Sequence, residues 1–126
     1  KDYSRHTAKK RREHSLRMEL NHLSRPRYWW YDYVRKSVID SLKRIKVGTD
    51  PVTLQETLAQ TAVKRVLFEL ETEYRGPERI EFIHLLYGKR ANTLPGIAMQ
   101  MFISEGTARD WNRDFIYRVA MHMGFL

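Results

Sequence analysis

Residues 94–117 read LPGIAMQMFISEGTARDWNRDFIY, and this stretch decides the fold. Thr93 and Pro95 open a short helix expected over 94–102. Ser104 then caps a last helix expected over 105–123, which Gly124 closes. Ala98 is small where two crossing helices must approach closely. Ile103, Ala108 and Trp111 follow it at offsets of 5, 10 and 13. Those apolar offsets match the buried positions of a helix-turn-helix, whose second helix enters the major groove of DNA. Between them stand Glu105, Gly106, Thr107, Arg109, Asp110, Asn112 and Arg113. Thr107, Arg109, Asn112 and Arg113 are the candidate base contacts, with Glu105 and Gly106 beside them. The turn position that such motifs give to Gly holds Phe102 here, and a plain helical hairpin is the alternative reading.

The rest of the chain also has helical spacing. Tyr31, Val34, Val38, Leu42 and Ile45 form one face of a helix over 28–46, with Gly48 as its stop. The capping-box spacing Thr53-x-x-Glu56 opens a third helix, expected to run to about Tyr74 with Leu54, Leu58, Ala62, Val66, Leu70 and Tyr74 on one side. Gly76-Pro77 breaks it and starts a fourth over 77–87, with Ile80, Ile83 and Leu86, or Phe82 and Leu85, pointing inward. A weak apolar trace (Leu16, Leu20, Leu23) suggests a polar helix over 5–23. The expected fold is all-α, in two parts: a basic arm and aromatic-rich helix over 1–47, then a long helix and helix-turn-helix domain over 48–126. The seam falls near Val47–Val52.

The chain has 126 residues and a net charge of +8. Residues 1–27 hold nine Lys and Arg against three acids, so they carry +6 of that charge, with a dense run at Lys9, Lys10, Arg11 and Arg12. A basic arm on a nearly neutral body points to a polyanionic partner, and the run is read as a phosphate-contacting arm. Cysteine is absent, which excludes disulfides and thiolate chemistry and suits an intracellular protein. No apolar run approaches the about 18 residues of a membrane span, and the charged start is not a signal peptide. Beginning at Lys1 and not at Met, the chain is expected to be processed or a piece of something longer.

The segment Glu81–Leu126, with its YGKR, IAMQMFISEGTARDW and DFIYRVAMHMGFL stretches, resembles the C-terminal region of the RinA/ArpU-type phage transcription activators. That region is similar to the promoter-reading domain of sigma factors. The resemblance extends loosely through the Pro51–Tyr74 helix and leaves residues 1–47 uncovered. It implies an all-helical regulator of double-stranded DNA that switches on phage late or packaging genes and recruits RNA polymerase. By it, Ser104–Met121 is the recognition helix, Arg109 and Arg113 point outward, and the location is the cytoplasm of a bacterial host. A homodimer is expected, because one recognition helix covers only a few base pairs. Three other classes stay open: a terminase small subunit or other DNA-packaging module, a sigma-like polymerase subunit, and an RNA-binding protein.

Other constellations point to less. His6, His14, His22, His84 and His122 have no ligand spacing and no acidic cluster, so no metal and no cofactor is expected. The serines lack an elbow motif and no acidic pair recurs at a fixed spacing, so the chain is not read as an enzyme. Tyr28, Trp29, Trp30, Tyr31 and Tyr33 suit a core or dimer interface, or base stacking beside Arg25 and Arg27. One helix cannot bury all five on one side, so one or two of them are expected at the surface.

Overall fold

A computed structural model of the protein describes residues 28–88 and 92–126, and among these it has five helices and no strand. They are α1 (Tyr31–Val47), α2 (Leu54–Leu70), α3 (Gly76–Gly88), α4 (Leu94–Gln100) and α5 (Glu105–His122). The fold is all-α. The expected helix over 5–23 and the basic run Lys9–Arg12 lie outside the described residues. The chain divides into two units, Lys1–Asp32 and Tyr33–Leu126, and the second takes in the Val47–Val52 stretch. There the side chain of Arg44 crosses from α1 to α2, donating to Gln60 Oε1 at 2.9 Å and facing Glu56 at 3.7 Å. Of the aromatic run, Trp30 is buried, Trp29 and Tyr33 are exposed, and Tyr28 stacks on Trp30 at 4.8 Å between ring centroids.

Local chemistry sets the helix ends. At α2 the capping box is complete: Thr53 Oγ1 accepts from the Glu56 N–H at 3.0 Å, and Glu56 Oε1 accepts from the Thr53 and Val52 amides at 3.2 and 2.8 Å. Three helices close with a Schellman pair of amides. After α1, Thr49 N–H donates to the Arg44 carbonyl and Gly48 N–H to Ile45. After α5, Phe125 donates to Ala120 and Gly124 to Met121. After α4, Ile103 donates to Ala98 and Phe102 to Met99. This closure needs a left-handed residue, which Gly48 and Gly124 supply at no steric cost.

The core of the second unit is built from α2, α3, α4 and α5 around Val63, Val66, Leu70, Phe82, Ile83, Ile97, Phe115, Ile116 and Val119. On α2 the buried face is Ala59, Gln60, Ala62, Val63, Val66 and Leu70. The expected row was wrong at both ends: Leu54, Leu58 and Tyr74 are exposed. Residues four apart drift by about 40° per step on a helix of 3.6 residues per turn. A strict i+4 row therefore winds off the core within a few turns.

The helix also stops earlier than expected, at Leu70 and not near Tyr74. The chain turns at Glu71–Arg75 and brings Gly76 against the Leu70 carbonyl. An ideal Cβ on Gly76 would sit 1.6 Å from that oxygen. The turn also delivers Glu73 to the side of α5. Arg118 grips Glu73 with two bonds of 2.8 Å, reaches Asp114 at 3.0 Å and lies 3.5 Å from Glu69. Arg79 of α3 pairs with the same Asp114 and lies 3.6 Å from Glu73, while His122 Nε2 meets Glu69 Oε2 at 2.9 Å. This cluster ties the end of α2, the start of α3 and the outer half of α5 together. Its groups are half-buried, so both the Coulomb attraction and the desolvation cost lie between those of a surface pair and a sealed one.

Two measurements check this geometry. Gly76→Ala should cost about 3 kcal/mol or more, because the clash is with backbone that cannot rotate away. Gly88→Ala, whose Cβ meets nothing within 4 Å, should be neutral or stabilising by up to about 1 kcal/mol. Equal urea midpoints for the two variants would refute the turn geometry. The second check is acid. The Arg118 hydrogen bonds hold the Glu73 carboxyl below the usual glutamate range, and the Val52 and Thr53 amides do the same for Glu56. Folded values below the unfolded ones mean that this stability is complete above about pH 4.5 and is lost as pH falls through the folded values. Glu73→Gln should cost about 1–2 kcal/mol at pH 7 and flatten the loss below pH 4.5, as read by urea titration across pH.

Candidate nucleic-acid interface

The stretch 94–117 folds as a short helix, a connection and a long helix. Thr93 caps α4 by accepting from Gly96 N–H at 3.1 Å, and Pro95 sits in the first turn where its missing N–H costs nothing. Residues 101–104 connect it to α5. In that connection Phe102 takes the left-handed conformation, φ 58°, and the residue is 94% exposed. A non-glycine residue there costs roughly 1–2 kcal/mol in backbone strain. Ser104 then caps α5, accepting from the Thr107 N–H at 3.0 Å while its own hydroxyl donates to Thr107 Oγ1 at 2.9 Å.

The inner side of α5 is Ala108, Phe115, Ile116, Val119 and Ala120. Ala98 and Ala108 are both fully buried, as small residues at a close helix approach must be, whereas Ile103 and Trp111 are half-buried. Trp111 meets Phe82 edge-on at 5.7 Å, and the Arg75 guanidinium lies over its ring at 5.0 Å.

The residues singled out from the sequence separate into two groups. Glu105 and Arg109 lie on the exposed side and face each other at 3.6 Å, with Gly106 half-buried beside them. Thr107 is half-buried and its hydroxyl is engaged by Ser104. Asn112 is half-buried and its Oδ1 accepts from the Tyr87 hydroxyl, which fixes the amide toward α3. The Arg113 side chain is only 15% exposed, and its Nη2 pairs with Asp110 at 2.9 Å. The open side of α5 is therefore Glu105, Arg109, Asp110, Tyr117 and Met121, with Arg113 held close under Asp110. Lys9, Lys10, Arg11 and Arg12 are outside the described residues.

Tyr117 and Met121 were not among the residues chosen from the sequence, whereas Asp110 stood among the polar residues between the buried positions. The signal for them is the step of four from Arg113 to Tyr117 and on to Met121, which continues the outward row past the motif. Electrically this side is balanced: each arginine has a carboxylate one turn before it. Among the described residues no group of three or more His, Asp or Glu could hold a metal ion, and no helix is long and apolar enough to cross a membrane. No protein-family model, no curated protein and no solved structure matches the chain.

The cap gives a direct test of this geometry. Ser104→Ala should lower stability by about 0.5–2 kcal/mol, with Ser104→Gly costing only a few tenths. An unchanged melting temperature for the alanine variant would mean that α5 begins elsewhere.

Proposed function

We propose that the protein is a sequence-specific regulator of double-stranded DNA of the RinA/ArpU activator type, with α4 and α5 as a helix-turn-helix and α5 in the major groove. The observation that supports this reading most is the pairing of a Ser104-capped helix with an outward row that begins at Glu105, Arg109 and Asp110, over the buried Ala98 and Ala108. A capped first turn leaves polar side chains on a rigid element at the depth where base edges are read. In this reading Arg109 is the principal base contact. Arg113 joins it by leaving Asp110, while Thr107 and Asn112 hold the helix in place from their half-buried positions. The arm around Lys9–Arg12 supplies phosphate contacts, which carry affinity and no sequence information. Control of phage late or packaging genes through RNA polymerase rests on the resemblance of residues 81–126 alone, and a homodimer on the two half-sites that such helices need.

The test is a selection from random duplexes with the full chain, followed by salt titration. Arg109→Ala should cost about 1–3 kcal/mol on the selected duplex and far less on a random one. Replacing Lys9, Lys10, Arg11 and Arg12 with Ala should weaken both duplexes alike and flatten the slope of log affinity against log salt by up to about 3–4 units. An arm variant that loses sequence preference while Arg109→Ala keeps it would reverse the two roles and sink the reading.

A further inference from the structure

Phe102 is strained, and among the described residues its side chain makes no contact that offsets the strain. Three helices end in the same Schellman closure, and two of them place Gly at the left-handed position. The third places Phe102 there, and that residue is 94% exposed. Arg75 is the other non-glycine residue with positive φ among the described residues. Its side chain offsets the strain: it donates to both Glu78 oxygens, at 2.8 and 3.0 Å, and lies over Trp111. Phe102 has no such return. Uncompensated strain of this kind concentrates at binding sites, where the contact that repays it lies outside the chain.

We infer that Phe102 is a duplex-contacting residue whose ring meets the base edges beside α5, with a thymine methyl group as its partner. The inference rests on the DNA-binding reading above and adds a specificity determinant to it. Phe102 stands two residues before the Ser104 cap, so it leads directly into the turn that carries Glu105 and Arg109. The closure bonds on either side, Phe102 to Met99 at 3.2 Å and Ile103 to Ala98 at 2.9 Å, fix the backbone from which the ring projects. Met99, three residues earlier, is also exposed. Met99 and Phe102 present two exposed apolar side chains, and the polar Ser104 and Glu105 follow within three residues of Phe102. A single methyl on the major-groove edge is the right size, and it is the one apolar group that the groove offers.

The experiment uses the full chain, the duplex recovered by selection, and the same duplex with uracil in place of every thymine. Phe102→Gly and Phe102→Asn both accept the left-handed conformation, the second without added flexibility. Each should raise Tm by about 2–5 °C because strain is relieved. Each should also weaken binding to the selected duplex by about 10-fold. The exchange to uracil should weaken the wild-type protein by about 3- to 5-fold, one buried methyl's worth, and leave both variants unchanged. Opposite signs in stability and affinity are the signature, since a structural role would move both together. Variants that melt higher yet bind like the wild type, beside a weakened Arg109→Ala, overturn the inference while the DNA-binding reading survives, and leave the ring to a protein partner. A wild-type protein indifferent to the uracil exchange also overturns it. A wild-type protein that selects no duplex fails the DNA-binding reading itself, and the inference with it.

Discussion

The guanidinium of Arg118 is the point on which the second unit turns. It faces Glu73, Asp114 and Glu69 at once, and Glu73 lies in the connection between α2 and α3, not on a helix. That connection could have continued α2, since Thr72, Glu73 and Tyr74 do not forbid a helix. It folds back because Gly76 admits the Leu70 carbonyl and because Glu73 finds two charge-assisted bonds only in the folded-back form. Arg79 and His122 complete the cluster from α3 and from the end of α5. Each of the three carboxylates, Glu73, Asp114 and Glu69, faces a guanidinium, so the desolvation of each is offset by a close partner beside the core.

This clamp decides which side of α5 is left open. With Asp114, Arg118 and His122 drawn toward α2 and α3, and Asn112 held by Tyr87, the opposite side carries Glu105, Arg109, Asp110, Tyr117 and Met121. The surface proposed to meet DNA is thus set by ion pairs on the far side of the same helix. A loss of the clamp would be expected to act on both stability and presentation.

The class and number of the described helices were legible in the sequence, because capping and stop residues act locally. Thr53, Thr93, Ser104, Gly48 and Gly124 do what their chemistry requires. Burial was less legible. On α2 the middle of the expected row, Ala62, Val66 and Leu70, is buried, but Leu54 and Leu58 gave way to Ala59 and Val63, since a row of strict fours winds off the core. The early end of α2 was hidden because its cause lies 45 residues away at Arg118. In the candidate site, the residue types between Ser104 and Arg113 were readable. Which of them are engaged by neighbours was not, because Tyr87 and Asp110 had to be placed in space first. Phe102 was noticed as a departure from glycine, and only the geometry makes it a strained and exposed ring.

On the proposed reading, the charge distribution puts two properties of DNA binding on different parts of the chain. The open side of α5 pairs Arg109 with Glu105 and Arg113 with Asp110, so its net charge is close to zero. Such a side has little attraction for phosphate at random, because a guanidinium must leave a carboxylate to reach it. In the proposed reading it gains only where base edges reward both partners, the arginine on guanine and the carboxylate on the cytosine amine. Residues 1–27 carry +6 with few apolar groups, and attraction to phosphate is indifferent to sequence. On the proposed reading, affinity belongs to the arm and discrimination to α5. A neutral reading helix is then no defect in a basic protein, since it keeps the strong and unselective part of the binding away from the residues that select.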